Sequence, residues 1–114
     1  MLNELAKEIT QIANEHGWFD KDREFGTTIA LMHSELSEAL EHHRNGRPVN
    51  LIFEHYTSQD GSLPKPDGVG IELIDCVVRI LHCLYEHGCD ADELMKRKME
   101  YNKTRPYRHG GKKC

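Results

Sequence analysis

The chain is poor in aromatic residues, which make up 7% of it, and it has a single tryptophan. That argues against a β-sandwich rich in Tyr, Val and Thr and for a small helical protein. Long apolar runs are missing too. No stretch approaches the ~20 apolar residues that a membrane span needs. The opening segment MLNELAKEITQIANEHG carries charges throughout, with no apolar core of signal-peptide length. The expectation is a soluble, cytoplasmic protein with no membrane partner. Cys76, Cys83, Cys89 and Cys114 include no C-x-x-C pair, which speaks against a zinc site of that spacing. Cys76 and Cys83 fall two turns apart on one helix, roughly 10 Å along its axis, too far for a disulfide within that helix. Reduced, packed thiols are expected. There is also no G-x-x-x-x-G-K-[ST] cradle, so any bound phosphates must be held by metals and side chains.

What is present is charge, at 30% of residues, with a formal net value of −4. It is unevenly placed. Between Lys96 and Lys113 basic residues recur against a single acid, Glu100, so the remainder is strongly acidic. An acidic body with a basic end suits a protein that holds a metal with one part and phosphates with the other, and equally a solvated face with a nucleic-acid-binding tail. A 114-residue chain buries only a modest core, and self-association is expected on that ground.

Apolar periodicity divides the chain into helices. Leu2, Leu5, Ile9, Ile12 and Ala13 mark the first, ending before Gly17. A second begins between Asp22 and Thr28 and runs to Arg44, with Ile29, Met32, Leu36, Ala39 and Leu40 as its stripe. Residues 46–68 hold Pro48, Pro64, Pro66, Gly61 and Gly68, and read as an excursion of one helical turn and a loop. The third helix, Val69 to His87, is apolar on nearly every side and belongs in the middle of a bundle or at a subunit interface. Asp90-Ala91-Asp92-Glu93 reads as a capping box opening a fourth helix that ends near Asn102. The expected fold is all-α: one helical domain over 1–105 with the 46–68 excursion, then a basic tail over 106–114.

Two spacings carry chemistry. Glu35 and Glu38 stand three residues apart beside the apolar stripe of the second helix, and Glu72 and Asp75 repeat the device on the third. Like charges at the margin of a core are costly unless a cation neutralises them. Two antiparallel helices each offering an acid pair can hold hard cations in oxygen coordination. Such a ligand set favours Mg²⁺, with Mn²⁺ as the alternative. Arg79 shares the face of Glu72 and Asp75 as an ion partner or a substrate contact. His42 falls on the carboxylate side of its helix, whereas Glu41 points elsewhere.

The end of the chain adds Lys98-x-x-Tyr101-Asn102-x-x-Arg105-Pro106, followed by His109-Gly110-x-Lys112. Together with E-x-x-E, E-x-x-D and the earlier G-W-F-D-x-x-R-E-F-G-T segment, it resembles the MazG-like all-α nucleoside triphosphate pyrophosphohydrolases. That resemblance covers most of the chain except residues 46–68, where the connection is longer than in compact members. It implies a four- to five-helix bundle assembling as a dimer or dimer of dimers. It also implies hydrolysis of a (deoxy)nucleoside triphosphate to the monophosphate and pyrophosphate, with a role in nucleotide-pool housekeeping. By the same resemblance Glu35, Glu38, Glu72 and Asp75 match metal-binding acids, and Lys98, Tyr101, Asn102 and Arg105 match nucleotide-holding positions. Glu35 and Glu38 are both candidates to orient or deprotonate the attacking water. Trp18 stands as a base-stacking candidate or a packed anchor. The alternative function is a non-catalytic nucleotide- or nucleic-acid-binding module on the same fold; the retained acid pairs make nucleic acid the less expected partner.

Overall fold

A computed structural model describes residues 1–18, 22–56 and 63–107. The chain is mostly helical, in the order α1 (Leu2–His16), α2 (Phe25–Arg44), β1 (Phe53–His55), β2 (Lys65–Asp67), α3 (Val69–Glu86) and α4 (Ala91–Thr104). Phe19 and Asp20 of the aromatic hinge, and the tail from Arg108 onward, lie outside the described residues.

The helices follow the periodicity expected of them, and their ends fall within a residue or two of the expected stops. At the end of α3, Gly88 adopts φ 68°, and the next amide, Cys89, donates 2.9 Å back to the Leu84 carbonyl. That closure of the last turn needs the left-handed backbone that glycine adopts without strain.

The excursion differs from expectation. Instead of a helical turn and a loop, it carries an antiparallel pair of short strands, with Phe53 opposite Asp67, Glu54 opposite Pro66 and His55 opposite Lys65. Proline is tolerated here because an edge strand need not donate from every residue. The fold is therefore mostly helical with a two-stranded sheet, rather than purely helical.

Helix α3 is central and packs against α2, α1 and α4, while α4 touches α1 and α3 but not α2. The α1–α3 contact is close because α1 presents small residues: Ala6, Thr10 and Ala13 are buried. Ala6, Leu81 and Ala91 form the core, with Leu2, Ile9 and Leu84 packed around it. At one end, α1 and α4 are tied by their caps. Asn3 Nδ2 donates to Asp90 Oδ1 at 2.8 Å, and the Ala91 amide donates to Asn3 Oδ1 at 2.8 Å. Asp90 caps α4 as expected, accepting from the Glu93 amide. The Glu93 side chain does not reach back; it accepts from Arg97 at 3.0 Å instead.

This core is thin. No large side chain among the described residues is fully buried, and Ile29, Leu36, Leu40, Leu73, Ile74, Val77 and Ile80 remain exposed. The radius of gyration is 17.1 Å, against roughly 13 Å for a compact domain of this length. Among the described residues, no helix is long and apolar enough to cross a membrane.

Candidate metal centre

Glu35 and Glu38 on α2 meet Glu72 on α3, with one carboxylate oxygen from each lying within 4.8 Å of the others. The i,i+3 spacing on each helix and the pairing of the two helices produce this convergence. Glu35 sits opposite Arg79 and His42 opposite Glu72, so α2 and α3 run antiparallel. Glu35 and Glu72 are each only 9% exposed, Asp75 is half-buried and Glu38 is open to solvent.

The four acids have different electrostatic surroundings. Burial pushes the Glu72 carboxyl up to about 8, and the neighbouring Glu38 carboxylate adds to the rise. Its Oε2 is sealed from solvent with no hydrogen-bond partner, because what surrounds it is carboxylate oxygen, which offers no proton when ionised. Asp75 is raised as well, first by burial and then by the charges of Glu35 and Glu38. Burial works the same way on Glu35, but the Arg79 guanidinium overcomes it and holds that carboxyl below its usual range. Arg79 Nε donates to Glu35 Oε1 at 2.9 Å. Arg79 is thus an ion partner within the site.

A second group borders the first. The hairpin turns Asp67 toward α2, where His42 Nε2 lies 2.8 Å from Asp67 Oδ1 and 3.6 Å from Glu72 Oε1. His55 Nε2 reaches Asp67 Oδ2 at 2.9 Å, and the Gly68 amide donates to Oδ1 at 2.8 Å. Burial alone would raise Asp67, yet the hydrogen bonds from His55, the Gly68 amide and His42 hold it far below its ordinary value. Arg47 Nη1 stands 2.7 Å from His42 Nδ1. Since arginine only donates, Nδ1 accepts and the His42 proton sits on Nε2, aimed at Asp67. Arg47 also covers the Phe53 ring at 4.9 Å, which locks β1 onto this corner.

The expected nucleotide-holding residues lie elsewhere. Lys98, Tyr101, Asn102 and Arg105 are exposed at the distal end of α4, and α4 does not touch α2. Lys98, Tyr101 and Arg105 form a group of their own, with Lys98 Nζ 5.3 Å and Arg105 Cζ 5.9 Å from the Tyr101 ring centre. Trp18 is 60% exposed and packs on His16 at 4.6 Å between ring centres; it is not a buried anchor.

Asp67, His55 and Arg47 were not among the sequence candidates. Asp67 falls in a Pro/Gly segment without periodicity, and only its position just before Gly68 and α3 hints at a role. No family model, curated protein or solved structure matches the chain.

Proposed function

We propose that the chain is a divalent-metal-dependent nucleoside triphosphate pyrophosphohydrolase of the MazG-like kind, yielding the monophosphate and pyrophosphate. The observation that carries this reading is the convergence of Glu35, Glu38 and Glu72, the last with a buried carboxylate oxygen that has no donor. Concentrated negative charge beside a core is unfavourable until a cation offsets it, and an all-oxygen donor set suits Mg²⁺ or Mn²⁺. When bound, such a cation neutralises phosphate charge and lowers the pKa of a coordinated water.

The chain's own residues then divide the work. Glu35, tied to Arg79 at 2.9 Å, is a fixed ligand and a poor base. Glu38 is exposed to solvent, so we assign it the proton of the attacking water. Asp75 and Glu72 complete the donor set. Lys98 and Arg105 hold charge on the departing pyrophosphate, and Tyr101 and Asn102 hold the nucleoside.

Since α4 is remote from α2 in one chain, we propose a homodimer or dimer of dimers in which a second copy brings these groups to the acids. The exposed Leu73, Ile74, Val77 and Ile80 on α3 and the expanded radius support assembly. The test is incubation with Mg²⁺ and a panel of ribo- and deoxynucleoside triphosphates, with pyrophosphate and orthophosphate detected separately. Pyrophosphate release abolished by chelator is the expected result. Orthophosphate release, or no turnover by a folded, Mg²⁺-binding protein, would overturn the reading.

A further inference from the structure

Glu35, Glu38 and Glu72 repel one another when ionised, so other groups must hold them face to face. We propose that His42 is a positioning residue that seats the start of α3, and with it Glu72, against Glu35 and Glu38. The inference rests on the reading above only in taking Glu72 as a metal ligand.

Two polar clasps bracket the acids. At one end Arg79 Nε on α3 donates to Glu35 Oε1 on α2 at 2.9 Å. At the other, His42 Nε2 on α2 meets Asp67 Oδ1, just before α3, at 2.8 Å. Glu38 lies between Glu35 and His42 along α2, one helical turn before His42 and on the same face. Glu72 lies between Asp67 and Arg79 along the chain, with its Oε1 3.6 Å from His42 Nε2. Each clasp joins an acid on one side of the helix pair to a base on the other, so together they oppose splaying of the two helices.

The His42 clasp reaches Glu72 through the backbone. Asp67 Oδ1 also accepts from the Gly68 amide at 2.8 Å, and the Gly68 carbonyl accepts from the Glu72 amide at 3.1 Å. Asp67, Gly68 and the first turn of α3 thus form one hydrogen-bonded unit, and holding Asp67 fixes where Glu72 stands. The imidazole is itself held. Arg47 Nη1 lies 2.7 Å from its Nδ1, the Phe53 ring packs on it near a right angle at 5.7 Å between centres, and the side chain is 12% exposed. With Nδ1 accepting from arginine, the proton on Nε2 makes that nitrogen a donor and leaves it no lone pair for a metal. His42 therefore does not ligate; it aligns the residues that do, as outer hydrogen bonds commonly do around metal-binding carboxylates.

The test is Mn²⁺ titration of the full chain and of two variants, His42→Leu and His42→Gln. Free Mn²⁺ is followed by electron paramagnetic resonance, with circular dichroism to verify folding. His42→Leu fills the space without a donor and should weaken Mn²⁺ binding by about 10- to 100-fold. His42→Gln, whose side-chain amide can donate where Nε2 does, should recover most of that loss. Nitrogen NMR of the metal-free wild type, with His42 assigned by its absence from His42→Gln, should place the imidazole proton on Nε2. If His42→Leu binds Mn²⁺ like wild type, or His42→Gln binds as weakly as His42→Leu, the inference fails while the proposed function stands. The same follows if the His42 proton sits on Nδ1, which would free Nε2 to ligate. If the wild type binds no Mn²⁺, both fail. Should His42→Leu not fold, a proton on Nδ1 is the result that overturns the inference.

Discussion

Arg79 on α3 donates to Glu35 on α2 at 2.9 Å, so the acid cluster carries its own internal cation. Glu35 has a fixed partner, whereas the adjoining Glu72 has a buried oxygen with none. The first acid is settled without metal and the second is not. Replacing Arg79 by Met removes the partner of a buried carboxylate, and the expected loss is about 2 kcal/mol. Urea unfolding without metal measures it. Added Mg²⁺ should recover part of the loss, because a cation at the cluster takes over some of the guanidinium's role.

Stability of the metal-free protein should depend on pH in a direction set by Glu72. Its carboxyl is raised from an ordinary 4.5 to about 8, so the folded chain holds that proton more tightly than the unfolded chain. Its contribution is complete below 4.5 and is lost as pH rises toward 8, and Asp75, also raised, acts with the same sign. Glu35 and Asp67 are lowered and act oppositely: their contribution is present above the usual carboxylate range and is lost on acidification. The metal-free protein should therefore be most stable in mildly acidic solution. Saturating Mg²⁺ should remove the decline on the alkaline side, since the cation replaces the proton. Thermal unfolding across pH with and without Mg²⁺ reads this, and metal-free stability that climbs through pH 8 would contradict it.

Gly68 joins β2 to α3 with φ 131°, a backbone conformation essentially restricted to glycine. A Cβ there would collide with the Leu51 carbonyl oxygen. Gly68→Ala should cost about 3 kcal/mol from strain and displacement of the 49–52 segment, measured by urea unfolding.

The parts of the centre that lie on helices were legible in the sequence because helical periodicity alone puts Glu35 beside Glu38 and Glu72 beside Asp75. Antiparallel pairing of α2 and α3 is then enough to bring Glu72 to Glu35 and Glu38. Asp67 and His55 were not legible, since their placement depends on strand register and on the backbone at Gly68, for which Pro/Gly-rich sequence gives no period. The position of α4 was also hidden. Its packing on α1 is set by exchanged caps at Asn3, Asp90 and Ala91, and side-chain-to-backbone bonds across so long a stretch of sequence leave no local pattern. The capping motif at Asp90 was legible for its acceptor but not for Glu93, whose competing partner is Arg97 one helical turn on.

The apolar residues left exposed on α3 predict assembly. Light scattering on the full chain should give a mass of two or four chains. Ile74→Asp, at a position 56% exposed in the single chain, should shift that mass toward the monomer, and with it lower the melting temperature. A monodisperse wild-type monomer would contradict the proposed assembly.

The most direct test of the account compares wild type with Glu38→Ala in one assay of Mg²⁺-dependent pyrophosphate release from nucleoside triphosphates. Glu38 is exposed, so the variant should fold, and its turnover should fall by a factor on the order of 10² or more. A variant that releases pyrophosphate at the wild-type rate would contradict the assignment of the acid cluster as the catalytic centre.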